Sequence, residues 1–175
     1  MADLRIPNFE QSRHVLQQTP VLLRNLLAAA PREALNWRPS SERWSIAMVL
    51  AHLADVEIRG FRDRFEPMLR SKHPALAPYE PWDLFRDKTE FDAAAELARF
   101  AERRTATLAL LGGMPDGAGD RTGQHEELGL ITIAQLVNEF AFHDLGHIRQ
   151  IMELYRSRVF FPEMGVYQGF YKINP

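Results

Sequence analysis

Three histidines in this 175-residue chain have the spacing and the chemistry to hold a metal ion. His143 and His147 are four residues apart, so on a helix their imidazoles project from one face on consecutive turns. His52, far upstream, is the third candidate. Three neutral imidazoles can bind a divalent ion and leave a coordination position open, which is typical of catalytic metal sites. Nitrogen ligands favour zinc, nickel or copper over magnesium or calcium.

The overall composition narrows the possible function classes. The sequence has no cysteine, which excludes a disulfide framework, a thiolate zinc site and a catalytic cysteine. Its net charge of −2 lacks the basic excess of nucleic-acid-binding proteins. No signal-peptide pattern occurs at Met1 to Asn8, and no apolar run approaches the roughly 20 residues that span a bilayer. We therefore expect a cytoplasmic protein with one domain over residues 1–175 and no nucleic-acid or membrane partner.

Four segments carry apolar residues at helical spacing and predict helices. They run from about Phe9 to Ala30, from Ser45 to Leu69, from Thr89 to Leu111 and from Thr132 to Arg156. Pro20 predicts a kink or a restart within the first of them. The connections are long, and no alternating run is long enough to predict a strand. Four amphipathic helices without strands predict an all-α four-helix bundle.

Local signals mark the beginnings of the second and fourth helices. Ser45 is a good N-cap, with Trp44 and Val49 placed as a hydrophobic staple around it. Thr132 and Gln135 form a capping box at the start of the fourth helix. The fourth helix therefore carries its two histidines in the middle, away from its ends.

A helical wheel at ~100° per residue turns the three histidines toward the interior of the bundle. His143 and His147 share the apolar face of the fourth helix with Glu139, and His52 lies near Asp55 on the second helix. Ligand imidazoles need partners for their second nitrogen, and we expect Asp55 and Glu139 to serve. The same placement fits a metal-free core in which Glu139 caps His143 and His52 is a buried histidine.

Two residues are candidates for a direct part in catalysis. Glu139 could act as a general base instead of orienting a ligand. Arg59 lies one to two turns beyond the first histidine, where it could bind a substrate carboxylate. A salt bridge from Arg59 to Asp55 or Asp63 on the same helix fits equally well. His125, in the loop before the fourth helix, could approach the site, although such histidines are commonly solvated.

Aromatic residues outside the helices form two further groups. The tryptophans that could line a pocket are Trp37, Trp44 and Trp82. The C-terminal segment from Val159 to Pro175 is rich in aromatic residues. So much exposed aromatic surface would be unusual on a monomer, and we expect this tail to pack over the bundle or across a homodimer interface.

Two stretches of the chain resemble the DinB-like (YfiT-like) metalloprotein superfamily. Residues 44–57 are similar to the second helix of that family, and residues 129–151 to its last bundle helix. The likeness extends from about Phe9 to Arg156, and the tail has no counterpart in the family pattern. The resemblance implies a bundle of down-up-up-down topology, a zinc or nickel ion held by the three histidines, and homodimers.

The resemblance also implies a metal-dependent enzyme that acts on a small molecule. Characterised relatives include thiol-dependent transferases and isomerases that use bacillithiol, mycothiol or glutathione, and hydrolysis is the other reaction that such a site allows. Since the chain has no cysteine, thiol chemistry would require a low-molecular-weight thiol as a cofactor. Two other functions remain open: a non-catalytic metal-binding stress-response protein and a metal-free helical dimerisation module.

Overall fold

A computed structural model describes residues 10–81, 85 and 90–175. Its helices are α1 (Glu10–Leu27), α2 (Arg32–Asn36), α3 (Ile46–Val56), α4 (Asp63–Arg70), α5 (Ala93–Gly112) and α6 (Ile133–Tyr155). A π-helical segment, Glu57–Arg62, joins α3 to α4 without a break. Shorter turns follow as a 3-10 helix at Ala118–Asp120, a π-helical turn at Arg156–Phe160 and a 3-10 segment at Phe161–Phe170.

The long helices form the expected four-helix bundle. α1 packs against both α5 and α6, and α3 packs against the same two helices. The first and second long helices therefore occupy diagonal corners, an arrangement compatible with a down-up-up-down path. Within the described ranges, no helix is long and apolar enough to cross a membrane.

The helix starts that the sequence predicts are formed. The Ser45 hydroxyl accepts a hydrogen bond from the Met48 amide, which caps α3. Both halves of the capping box at α6 are present, because Thr132 Oγ1 accepts from the Gln135 amide and Gln135 Oε1 accepts from the Thr132 amide. These caps satisfy backbone donors that a helix end leaves free.

Two details of the helices differ from expectation. The third long helix begins at Ala93 because Asp92 caps it, later than the predicted start at Thr89, which lies outside the described residues. We expected a kink or a restart at Pro20, and α1 runs through this residue as one helix without a restart. Proline leaves the carbonyl four residues earlier without a donor. Here that carbonyl, of Leu16, accepts from the buried side chain of Arg104 at 2.7 Å.

The expectation that the chain has no strands is wrong. A hairpin pairs β1 (Thr122–His125) with β2 (Gly129–Thr132) in antiparallel register, and β2 leads directly into α6. Each strand has four residues, which is too short for a visible alternation of apolar and polar side chains. Gly129, with φ of 75°, supplies the left-handed backbone that ends the turn.

Helix α3 is the central element of the core. Every residue from Ile46 to Ala54 is buried, His52 among them at 3% exposure. Since α3 is enclosed by α5 and α6, an apolar sequence on all its sides is what its position requires. Among the buried residues from Ile46 to Ala54, His52 is the one with a polar side chain.

Candidate metal centre

The three histidines predicted from the sequence meet in the structure. Nε2 of His52 is 3.0 Å from Nε2 of His143, which in turn is 3.1 Å from Nε2 of His147. One possible ligand atom from each residue lies within 4.8 Å of the other two. Helix α3 supplies the first of these nitrogens and α6 supplies the other two.

This donor set fits a divalent transition metal. Burial, reinforced by the neighbouring imidazoles, lowers the pKa of His52 from 6.5 to about 2. Burial likewise lowers the pKa of His143 to about 4 and depresses that of His147. Imidazole binds metals in its neutral form. Nitrogens that lie about 2.0–2.1 Å from one tetrahedral zinc ion are about 3.3 Å from each other, and the two Nε2–Nε2 distances of 3.0 and 3.1 Å are close to this separation.

Two of the three imidazoles have a partner at the nitrogen that faces away from the cluster. Nδ1 of His147 donates to Gln150 Oε1 at 2.9 Å. Nδ1 of His52 lies 3.1 Å from the hydroxyl of Tyr79, which itself hydrogen-bonds to Asp55. We expected Asp55 to contact the His52 imidazole directly, but Asp55 is connected to it through the hydroxyl of Tyr79. Burial and the nearby Asp55 carboxylate raise the pKa of Tyr79, so its hydroxyl stays protonated.

The predicted hydrogen bond between Glu139 and His143 is not formed. Nδ1 of His143 is buried and has no hydrogen-bond partner among the described residues. The ring of Phe140 stacks on this imidazole at 6.1 Å, with an angle of 10° between the planes. Glu139 is an exposed residue on the cleft beside the histidines, yet its surroundings desolvate the carboxyl group enough to raise its pKa.

Arg59 forms a salt bridge with Asp55, which is one of the two partners that the sequence allowed. Its Nε lies 3.4 Å from Asp55 Oδ2, and its guanidinium stacks on the Tyr79 ring at 5.1 Å. It also donates to the backbone carbonyl of Glu80 at 3.2 Å. Arg59 is not among the residues that line the cleft.

Trp44 provides an aromatic wall beside the histidines. Its ring centroid is 5.0 Å from that of His52, and it stacks on His147 at 6.2 Å. Phe85 packs behind it at 4.7 Å. Our interpretation of Trp44 as a helix staple missed these contacts, because the sequence does not show that the N-terminal end of α3 lies beside the middle of α6.

A cleft of about 960 Å³ opens beside the cluster. Its walls come from residues 42–44 before α3, from the face of α6 that carries His143 and His147, and from residues 172–175. The expected packing of the C-terminal tail against the bundle is thus formed at its end, where the Asn174 amide donates to Glu153. Other tail residues stay exposed, including Val166 at 88% and Phe170 at 83%.

The remaining candidates lie away from the site. Nδ1 of His125 accepts from the amides of Glu127 and Leu128 and so closes the β-hairpin. Trp37 contacts Arg158 and is not a cleft residue. Trp82 lies outside the described residues.

Sequence reasoning missed a charged cluster next to the histidines. Arg104 is buried and donates to both oxygens of Asp144, at 2.7 and 3.0 Å, and to Glu57 Oε1 at 2.5 Å. Thr107 donates to the other oxygen of Glu57 at 2.6 Å. The sequence does contain an indication of this cluster. Asp144 and Glu57 follow apolar helical stretches and lie on helix faces that a helical wheel turns inward, which points to buried carboxylates.

Helical-bundle metalloproteins build their metal sites in the core from side chains on facing helices, and the three convergent histidines match this class. The sequence profile of the DinB superfamily matches residues 15–151, and the chain belongs to this superfamily. A relative from Oceanobacillus iheyensis, named "Putative metal-dependent hydrolase", is 24% identical over 146 residues, covering 82% of this chain and 83% of the relative.

A solved structure shows the same fold. YfiT from Bacillus subtilis matches with a TM-score of 0.77 at 24% identity, covering 90% of this chain and 91% of that chain. It is described as "a probable metal-dependent hydrolase with an unusual four-helix bundle topology". This likeness confirms the four-helix bundle.

Proposed function

We propose that this protein is a metal-dependent hydrolase that acts on a small molecule in the cleft beside α6. The observation that carries the proposal is the convergence of three neutral Nε2 atoms, from His52, His143 and His147. The descriptions of the Oceanobacillus relative and of YfiT as metal-dependent hydrolases support it. The nitrogen-only donor set favours zinc or nickel.

Each side chain around the cluster has a role in this proposal. The three histidines hold the ion, which when bound lowers the pKa of water or of a thiol and so provides a nucleophile at neutral pH. Gln150 holds the ring of His147 through Nδ1. Trp44 walls the cleft and limits the access of bulk water to the histidines.

Glu139 is the residue that we propose as the general base. It lies one turn before His143 and lines the cleft, and desolvation raises its pKa, which is the direction that favours proton transfer by a carboxylate. Substitution Glu139→Gln should leave the bound metal unchanged and lower turnover by about 10²- to 10⁴-fold. Arg59 has no direct catalytic part in this proposal, since its guanidinium is engaged by Asp55 and Tyr79.

A thiol-dependent transferase is the second candidate, and the absence of cysteine bears on it. Any sulfur must come from a small molecule, and the cleft of about 960 Å³ is large enough for a thiol of peptide size. The visible spectrum of the cobalt-substituted protein should change on addition of bacillithiol, mycothiol or glutathione. A spectrum that none of the three alters would exclude this candidate.

Elemental analysis of the purified protein tests the metal directly. We expect one equivalent of zinc or nickel in the wild type, or after incubation with either ion and dialysis. Replacement His143→Ala should abolish binding, whereas the matched control His14→Ala, at an exposed position of α1, should not. A folded wild-type protein that retains neither ion would refute the metal-dependent function.

We also propose that the protein forms a homodimer through its C-terminal tail. Exposed apolar side chains on the tail, such as Val166 and Phe170, support this assembly. Sedimentation equilibrium should give the mass of a dimer for the wild type and that of a monomer for Phe170→Ser. A wild-type protein of monomer mass at micromolar concentration would contradict it.

A further inference from the structure

The Tyr79 hydroxyl connects the His52 imidazole to a carboxylate. Tyr79 lies in the proline-containing segment between α4 and α5, half-buried, and its hydroxyl is 3.1 Å from Nδ1 of His52. The same hydroxyl hydrogen-bonds to Asp55, three residues after His52 on α3. A residue from outside the four long helices thus contacts the most deeply buried of the three histidines.

The chemistry of the three groups gives this chain of hydrogen bonds a direction. A carboxylate only accepts hydrogen bonds, so the Tyr79 hydroxyl must donate its single proton to Asp55. The hydroxyl oxygen is then left as an acceptor, and the Nδ1 of His52 must donate to it. A neutral imidazole has one proton, so Nε2 of His52 keeps its lone pair.

Arg59 holds both partners in place. Its guanidinium stacks on the Tyr79 ring at 5.1 Å and pairs with Asp55 at 3.4 Å. Its hydrogen bond to the carbonyl of Glu80, at 3.2 Å, anchors the backbone next to Tyr79. One side chain therefore fixes the ring, the carboxylate and the segment that carries the ring.

We propose that Asp55 and Tyr79 are positioning residues that keep His52 in the Nδ1–H tautomer, with Nε2 aimed at the metal position. The proposal rests on the metal site proposed above, and extends it by assigning how its α3 ligand is prepared. It also assigns Arg59 as the support of this chain. Outer hydrogen bonds of this kind commonly change metal affinity by about 10- to 100-fold when removed.

Substitution Tyr79→Phe tests the proposal, because it removes the hydroxyl and keeps the ring on which Arg59 stacks. We expect the dissociation constant for zinc, measured by competition with a chelator, to rise by about 10- to 100-fold. The matched control is Tyr155→Phe, at a half-buried tyrosine of α6 that packs on Phe160 and is not a cleft residue. The control should bind zinc as the wild type does.

A second measurement separates positioning from a merely structural role. Long-range ¹H–¹⁵N spectra of the metal-free protein report which nitrogen of His52 carries the proton. We expect the Nδ1–H tautomer in the wild type and a growing share of the Nε2–H tautomer in Tyr79→Phe. A loss of affinity with an unchanged tautomer would overturn the proposal, as would a wild type that already has Nε2–H.

A double substitution tests whether the two residues act through one chain. Asp55→Asn should weaken zinc binding, and combining it with Tyr79→Phe should add little to the loss from Tyr79→Phe alone. Fully additive losses, or a Tyr79→Phe variant that binds zinc as tightly as the wild type, would overturn the proposed chain of hydrogen bonds. Neither result would contradict the proposed metal site. A wild type that binds no zinc would instead remove the proposed function.

Discussion

Two buried polar clusters share helix α6 and differ in how their polar atoms are satisfied. His143 and Asp144 are neighbours on α6, and one belongs to each cluster. In the charged cluster, each oxygen of Asp144 and Glu57 accepts a hydrogen bond from Arg104 or Thr107. In the histidine cluster, three neutral nitrogens converge at 3.0–3.1 Å.

This contrast indicates which of the two clusters is suited to bind a ligand. A buried carboxylate is tolerated when donors surround it, and here Arg104 also satisfies the Leu16 carbonyl that Pro20 leaves free. The charged cluster is thus complete and joins α1, the π-helical segment, α5 and α6. In the histidine cluster the Nε2 atoms have only one another as partners, and a cation bound between them would engage all three lone pairs at once.

The largest expected effect comes from breaking the charged cluster. Replacement Arg104→Met leaves two buried carboxylates without their shared cation, and should cost about 3–5 kcal/mol of unfolding free energy. Urea denaturation of the metal-free protein measures it. The control Arg24→Met, at an exposed position of α1, should change stability by less than about 0.5 kcal/mol. A loss for Arg104→Met as small as that of its control would show that the cluster does not hold the bundle together.

Acid should destabilise the metal-free protein through the histidine cluster. The pKa values of His52 and His143 lie at about 2 and about 4 in the folded protein, below their ordinary value of 6.5. As pH falls through 6.5, the unfolded chain gains protons that the folded protein does not. The free energy of unfolding is therefore higher at neutral pH and decreases on acidification. Between about pH 6.5 and about pH 5 each of the two should lower the free energy of unfolding by about 1–2 kcal/mol.

Urea denaturation at several pH values checks this slope. Because the pKa of His147 is also depressed, the variant His52→Ala should lose about a third to a half of the drop, and His14→Ala, with its exposed imidazole, should keep all of it. If the wild-type stability were flat over this range, the three imidazoles would not be buried and neutral together.

Metal should stabilise the protein by completing the histidine cluster. At a free zinc concentration about 100 times the dissociation constant, the unfolding free energy should rise by about 2.7 kcal/mol. The midpoint of thermal unfolding should rise with zinc in the wild type and in Arg24→Met, but not in His143→Ala. An equal rise in His143→Ala would place the metal elsewhere.

A smaller effect is expected from Gln150, which hydrogen-bonds to Nδ1 of His147 at 2.9 Å. Replacement Gln150→Leu should weaken zinc binding by about tenfold, because the ring loses the acceptor that orients it. The stability of the metal-free protein should change little. Gln18→Leu, on the exposed side of α1, is the control for both measurements. A metal-free Gln150→Leu variant as destabilised as Arg104→Met would mean that the two clusters do not differ in role.

The part of the site that lies on helices could be predicted from the sequence. The capping box at Thr132 fixes where α6 begins, and the period of the helix then sets the direction of His143 and His147. The apolar surroundings of His52 place it in the core in the same way. The three histidines can then converge if α3 and α6 are neighbours, and a four-helix bundle allows this arrangement.

The contacts that could not be predicted depend on chain paths without a period. Tyr79 reaches His52 because the segment before it is tied to the hairpin by the bridge between Ala75 and Gln124. No local pattern encodes that path. Arg104 is similar, since a buried arginine is explained only by the carboxylates that other helices bring to it.

The most direct test of the account is a crystal structure of the zinc-soaked protein with anomalous data collected at the zinc edge. We predict one strong anomalous peak about 2.0–2.1 Å from Nε2 of His52, His143 and His147, with a further position open toward the cleft. No peak at the cluster, or a zinc ion bound through Nδ1 of any of the three, would contradict the account.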